Sequence, residues 1–112
     1  MTQAPDRAPT ASGSGAKAYY IVEIAIHDPE TYRAYPAQVE PLIKRFGGRY
    51  LVRGGEAVSL EGSAATGRMI VLEFPSLQAA QQFASCDEYK PVAEIRHRSA
   101  TSRIMLVEGY PA

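Results

Sequence analysis

Polar and apolar positions divide the chain into a small-residue opening and a patterned remainder. Residues 1–16 are mostly Ala, Pro, Thr, Ser and Gly, with almost no bulky apolar side chain. Such a segment cannot bury enough surface to offset its ordering entropy, so a flexible tail is expected there and one domain over residues 17–112. Tyr19–Ile26 (YYIVEIAI) and Arg68–Phe74 (RMIVLEF) are aromatic and β-branched, and read as strands. Each is apolar on both faces apart from one carboxylate, Glu23 in the first and Glu73 in the second. Alternation sets Tyr20, Val22 and Ile24 opposite Tyr19, Ile21 and Glu23, and Ile70, Leu72 and Phe74 opposite Met69, Val71 and Glu73. If the bulkier faces meet helices, both carboxylates look out of the other side of the sheet. Ser102–Val107 is the last strand.

Between these runs the period changes to that of helices. Asp28, Pro29 and Glu30 combine an N-cap, a first-position proline and an acid at the positive end of the dipole. Tyr32, Tyr35, Val39, Leu42, Ile43 and Phe46 then recur at helical steps. Pro36 and Pro41 interrupt the stripe, and a kink or break is expected near Tyr35. Ser76 caps a helix through about Ser85, with Leu77, Ala80, Phe83 and Ala84 on its buried side. Asp87 is read as the cap of a second helix carrying Tyr89, Val92 and Ile95.

The central stretch is Phe46–Gly55 (FGGRYLVRGG). Gly47-Gly48 can end the preceding helix, and Gly54-Gly55 is read as a hairpin turn into a short strand over Ala57–Leu60. Alternation along Arg49–Gly54 places Arg49, Leu51 and Arg53 on one face and Tyr50 and Val52 on the other. An enclosed Arg53 needs an anionic partner or ligand.

The order of elements is βαββαβ, an α+β, ferredoxin-like pattern with an antiparallel sheet covered by helices on one face. Strands apolar on both sides leave the second face as an interaction surface. Sheet-to-sheet homodimerisation that closes a barrel between two subunits is the economical solution.

Composition narrows the rest. The chain has 112 residues and no net charge, which gives no electrostatic case for nucleic acid or an anionic membrane. Arg96-His97-Arg98 falls where a helix should end and is read as complementing its dipole. No apolar run reaches the ~20 residues of a membrane span, and no signal-peptide core is present. Cys86 is the single cysteine, so an internal disulfide is ruled out and a cytoplasmic location is expected.

Asp28-Pro29-Glu30-x-Tyr32, Phe46 to Gly55, Glu73-Phe74-Pro75-Ser76, Glu88-Tyr89 and Val107-Glu108-Gly109 together resemble the bacterial family called domain of unknown function 1330 (DUF1330), over about residues 18–110. The resemblance implies membership of the dimeric α/β-barrel superfamily, and hence a homodimer. That superfamily includes cofactor-free monooxygenases, haem-degrading enzymes and muconolactone isomerases; the family itself has no settled reaction. Pro36 departs from the family pattern, so the shape of the first helix does not carry over.

The candidate site residues are the ionisable groups that interrupt apolar strands, with nearby tyrosines. Arg53 is the expected anion anchor, paired with Glu73 or Glu23. Glu73 or His27 is the expected general base. Tyr35, beside Pro36, and Tyr89, beside the helix break, are expected to donate hydrogen bonds to a carbonyl or phenolate. No cofactor is expected, and no metal, since His97 has no ligand-spaced partner. Three readings stay open. The first is a small-molecule cleft between sheet and helices that isomerises or oxidises a small carbonyl or phenolic compound without a cofactor. The second is the same cleft without turnover. The third is a dimeric structural domain whose charged residues only fix the interface.

Overall fold

The computed structural model describes residues 15–63 and 67–111, so nearly all of the expected tail lies outside the described residues. The elements run β1 (Ala18–Ile26), α1 (Pro29–Tyr32), α2 (Ala34–Arg45), β2 (Arg49–Glu56), β3 (Arg68–Phe74), α3 (Leu77–Ser85), α4 (Tyr89–Ser99) and β4 (Ala100–Glu108). They form a four-stranded sheet in the order β2-β3-β1-β4, with every neighbouring pair antiparallel. This is the expected ferredoxin-like α+β fold.

Alternation in β1 is carried through to burial. Ala18, Tyr20, Val22 and Ile24 are buried under the helices, while Tyr19, Ile21, Glu23 and Ala25 on the reverse are only partly covered. Leu72 and Phe74 in β3 join the buried set, and Val39, Ile43, Ala80, Phe83, Tyr89 and Val92 complete the core from the helices. Phe83 sits at its centre, 4.8 Å from Tyr89, 5.3 Å from Phe74 and 5.6 Å from Tyr20 between ring centroids. Ala84, expected on the same side, is exposed.

The first helix breaks at Arg33, two residues before the expected place. Asp28 caps α1 as read, accepting from the Thr31 amide at 3.3 Å and from its hydroxyl at 2.6 Å. The break puts Pro36 in the first turn of α2, where its missing N–H has no partner to lose, and leaves only Pro41 in a helix interior. At the far end of α2, Gly47 takes φ 82°. Its amide bonds the Lys44 carbonyl at 2.9 Å while the Gly48 amide bonds the Ile43 carbonyl at 2.8 Å, the paired bonds of a Schellman termination. The cap expected from Asp87 is not made; the residue before α4 is Glu88, with no side-chain bond to the helix, and Asp87 pairs instead with Lys90.

Strand β2 departs most from the sequence reading. It does not turn at Gly54-Gly55 but continues to Glu56, and residues 57–60 form no strand. Its register against β3 slips twice, between Tyr50 and Val52 and again between Arg53 and Gly55. Leu51 and Gly54 are the extra residues, and Gly54 absorbs the second irregularity with φ 76°. Tyr50 therefore opposes Leu72, Val52 opposes Val71, and Arg53 opposes Ile70. The expected sharing of a face by Arg49 and Arg53 is corrected. Arg49, opposite Glu73, stays on the open face, while the slip carries Arg53 to the helix-covered face with Tyr50.

Candidate functional site

Between the helix-covered face of the sheet and helices α1, α2 and α4 lies a cleft of about 180 Å³. Its walls are aliphatic, from residues such as Val22, Ile24, Val39 and Ile70, and aromatic, from residues such as Tyr32 and Phe83. Polar atoms gather at two places. The outer one is formed by Arg53 and Arg68, the inner one by Tyr35, Tyr89 and Arg96.

At the inner place α2 and α4 bring Tyr35 and Tyr89 together from 54 positions apart, with their hydroxyl oxygens 2.8 Å from one another. Both side chains are buried, Tyr35 at 8% and Tyr89 at 5% exposure. Arg96, two turns along α4 from Tyr89, is 8% exposed and donates from Nη2 to the Tyr89 oxygen at 3.4 Å. Its Nη1 donates to Ser102 Oγ on β4 at 2.7 Å, and its guanidinium carbon lies 6.0 Å from the centre of the Tyr35 ring. Burial, reinforced by the neighbouring Tyr89, pushes the Tyr35 phenol well above its ordinary value. Burial does the same to Tyr20, and to Tyr32 and Tyr50 nearer the surface. Arg96 loses from burial but is favoured by Tyr89 and Tyr35, with a net upward shift, and it is a cation at any ordinary pH. The inner end therefore holds neutral phenols and a fixed positive charge: donors rather than bases.

At the outer place the slipped strand lays the Arg53 guanidinium over the Tyr50 ring, 4.3 Å from its centroid. Nη2 of Arg53 reaches Glu40 on α2 at 3.3 Å. The irregular backbone also frees the Gly54 carbonyl to accept from Arg68 Nη1 at 3.0 Å.

Of the residues singled out in the sequence, Arg53, Tyr35 and Tyr89 line this cleft. Glu73, Glu23 and His27 do not. Glu73 lies on the open face of the sheet, held by Arg49 Nε at 2.9 Å, by Lys17 at 3.6 Å and by the Tyr19 hydroxyl at 3.3 Å. The Arg49 hydrogen bond, with smaller help from Lys17 and Tyr19, keeps the Glu73 carboxyl below the usual range. Glu23 meets Arg103 across β1 and β4 at 3.2 Å. The expected pairing of Arg53 with either glutamate is thus replaced by Arg53–Glu40. His27 is exposed at the end of β1, and its backbone amide donates to the Ser99 carbonyl.

Arg96 is the residue the sequence reading passed over, because it stood in a basic run at a helix end. Its spacing carried a signal: Tyr89, Val92, Ala93 and Arg96 recur at three- and four-residue steps, and all four are buried. Among the described residues no three His, Cys, Asp or Glu side chains gather as metal ligands, and no helix is long and apolar enough to cross a membrane.

The model of the family described as a domain of unknown function, DUF1330, matches residues 17–110. The chain belongs to that family. Among solved structures, this DUF1330 chain is similar to the RPA0582 protein of unknown function from Rhodopseudomonas palustris, at 18% identity and a TM-score of 0.70, over 88% of this chain and 85% of that one. A structure titled methylated RPA0582 protein matches at 18% identity and a TM-score of 0.68, over 98% and 97% of the two chains. SnoaB, a cofactor-independent oxygenase from Streptomyces nogalater, matches at 12% identity and a TM-score of 0.56, over 87% and 96%. At these identities the likeness is one of fold. No curated protein sequence matches the chain.

Proposed function

We propose that this DUF1330 protein is a homodimer in which each subunit binds a small, largely apolar carbonyl or phenolic compound in the cleft between sheet and helices. The observation that carries the reading is the buried Tyr35–Tyr89 hydroxyl pair beside Arg96, set at one end of largely apolar walls. Burial of three polar groups in such surroundings is costly unless they serve a partner. Tyr35, Tyr89 and Arg96 are assigned to the ligand oxygen, and Arg53 to the mouth of the cleft.

The dimer is supported by the open face of the sheet. Met105 at 59% exposure, Val107 at 47%, Leu51 at 45% and Val52 at 39% present apolar side chains to solvent on the two edge strands. Half-covered Ile21 and Val71 lie between them. A second copy laid on this face would cover the patch.

A second reading adds turnover. A fixed cation beside neutral phenols is suited to negative charge developing on an enolate or phenolate oxygen. Cofactor-free isomerisation or oxidation of such a compound fits that equipment, and SnoaB, similar in fold, is a cofactor-independent oxygenase. On this reading Arg96 and the two tyrosines stabilise charge, and neither Glu73 nor His27 acts as the base.

Native mass spectrometry of the full chain purified from its own host tests both halves of the proposal. A dimer mass carrying a small organic adduct is the expected result. A monomer at micromolar concentration overturns the homodimer. A dimer that retains no adduct and takes up no carbonyl or phenolic compound on incubation overturns the cleft.

A further inference from the structure

Resting on that reading of the cleft, we propose that its ligand is bound as an anion: an apolar body bearing one negatively charged oxygen, which the Arg96 end receives. The ground is a contrast among the arginines. Arg45, Arg49, Arg53 and Arg103 all lie at the surface, and each has a carboxylate oxygen at 3.2, 2.9, 3.3 and 3.2 Å, respectively. Arg33, Arg68 and Arg98 have none among the described residues but are exposed to water, whereas Arg96 has none and is 8% exposed. Its neighbours are the Ser102 and Tyr89 hydroxyls, the Tyr35 ring, and His97 Nε2 at 3.4 Å from Nη2. Its Nε is buried with no acceptor among the described residues. The arginine that water solvates least thus has no carboxylate to offset its burial, the reverse of what a purely structural cation requires.

The tyrosine pair adds a donor. Tyr20 also hydrogen-bonds Tyr89, so three hydroxyls hold three protons and share two hydrogen bonds, which leaves one O–H with a proton to give elsewhere. The depth that keeps Tyr35 neutral ensures that it donates rather than competes as an anion. No Asp or Glu stands among the described residues lining the cleft, so nothing there takes a proton from an incoming acid. A compound held by these groups arrives already ionised. Beyond the polar end the walls are apolar, which suits one charge and a hydrocarbon or aromatic body.

An anionic oxygen on an apolar body belongs to a carboxylate or to a phenolate, and titration calorimetry with the full chain separates the two. The probes are benzoate against its neutral isostere benzamide, and 4-nitrophenolate against 4-nitroaniline at a pH where the phenol is ionised. The expected result is binding of at least one anion about tenfold or more tighter than its isostere. That preference should vanish in Arg96→Met. Preference for benzoate assigns the carboxylate class, and preference for 4-nitrophenolate the phenolate class. Equal binding of anion and isostere overturns this inference and leaves the cleft standing as a site for neutral compounds. Binding of none of the four at millimolar concentration overturns the cleft reading along with it. The wild-type comparison decides the matter even if the variant fails to fold, and a benzoate complex with the carboxylate away from Arg96 would overturn the proposal independently.

Discussion

The two faces of this sheet treat charge in opposite ways. On the open face every glutamate side chain meets a cation: Glu73 meets Arg49 and Lys17, and Glu23 meets Arg103. Those charges stand partly in water, where ion pairing contributes modestly and serves register more than stability. On the covered face the helices bury a single guanidinium among the described residues, Arg96, and give it no carboxylate. Groups that are easy to solvate are paired, and the group that is hard to solvate is left for something else. On the proposed reading, the contrast separates a face whose charges hold shape from one whose charge receives a ligand.

The sharpest way to break the comparison is to remove its apolar frame. Phe83 is 1% exposed at the centre of the aromatic cluster, and Phe83→Ala should cost about 3–5 kcal/mol in denaturant unfolding. A change on the reverse face should behave differently. Met105→Glu places a charge on a residue already 59% exposed, so the subunit keeps its fold while the proposed dimer dissociates in analytical ultracentrifugation. Next in size is Gly48→Ala. A β-carbon at Gly48 would meet the Phe74 ring at 2.7 Å and Ile43 at 2.8 Å, so a loss of about 1–3 kcal/mol is expected. Arg96→Met probes charge directly. Removing an unneutralised buried cation should leave stability unchanged or raise it by about 1 kcal/mol in thermal unfolding, while anion binding is lost. A clear destabilisation would instead mark Arg96 as a structural group.

The smallest expected effect is on pH. Hydrogen bonding from Arg49 to Glu73, and from Thr31 to Asp28, holds both carboxyls below their ordinary values in the folded chain. Their stabilisation is therefore complete above the unfolded pKa values of about 4 and is lost as pH falls through the lower folded values. Glu73→Gln and Asp28→Asn should each flatten that acid limb in unfolding scans, leaving the profile near neutrality unaltered in shape.

Much of this was legible from residues alone. The alternation of β1 and β3 placed Glu23 and Glu73 on the open face, as found, because uniform strands propagate parity without error. The caps at Asp28 and Ser76 were legible because short polar side chains bond amides three residues ahead, at 3.3 Å for Asp28 and 3.0 Å for Ser76. Two things were not. Nothing local announces a slip of register, so Arg53 was placed on the wrong side, and Gly54 was read as a corner when it relaxes a slip inside a longer strand. Burial of Arg96 depends on a cleft assembled from α1, α2, α4 and the sheet, and a basic run at a helix end conceals it.

The two extra residues of β2 cancel each other along its length. Arg49 and Tyr50 before them, and Gly55 and Glu56 after them, take the faces an uninterrupted strand would give them, though the last two pair two positions away; only Val52 and Arg53 exchange faces. Deleting Leu51 would heal the first irregularity and leave Val52 opposite Val71 and Arg53 opposite Ile70, whereas pairing Leu51 with Val71 would send the arginine out of the cleft mouth and valine into it. The cation at the entrance of the cleft is thus set by which residue the ladder leaves unpaired, and the same letters paired without that bulge would present valine there instead.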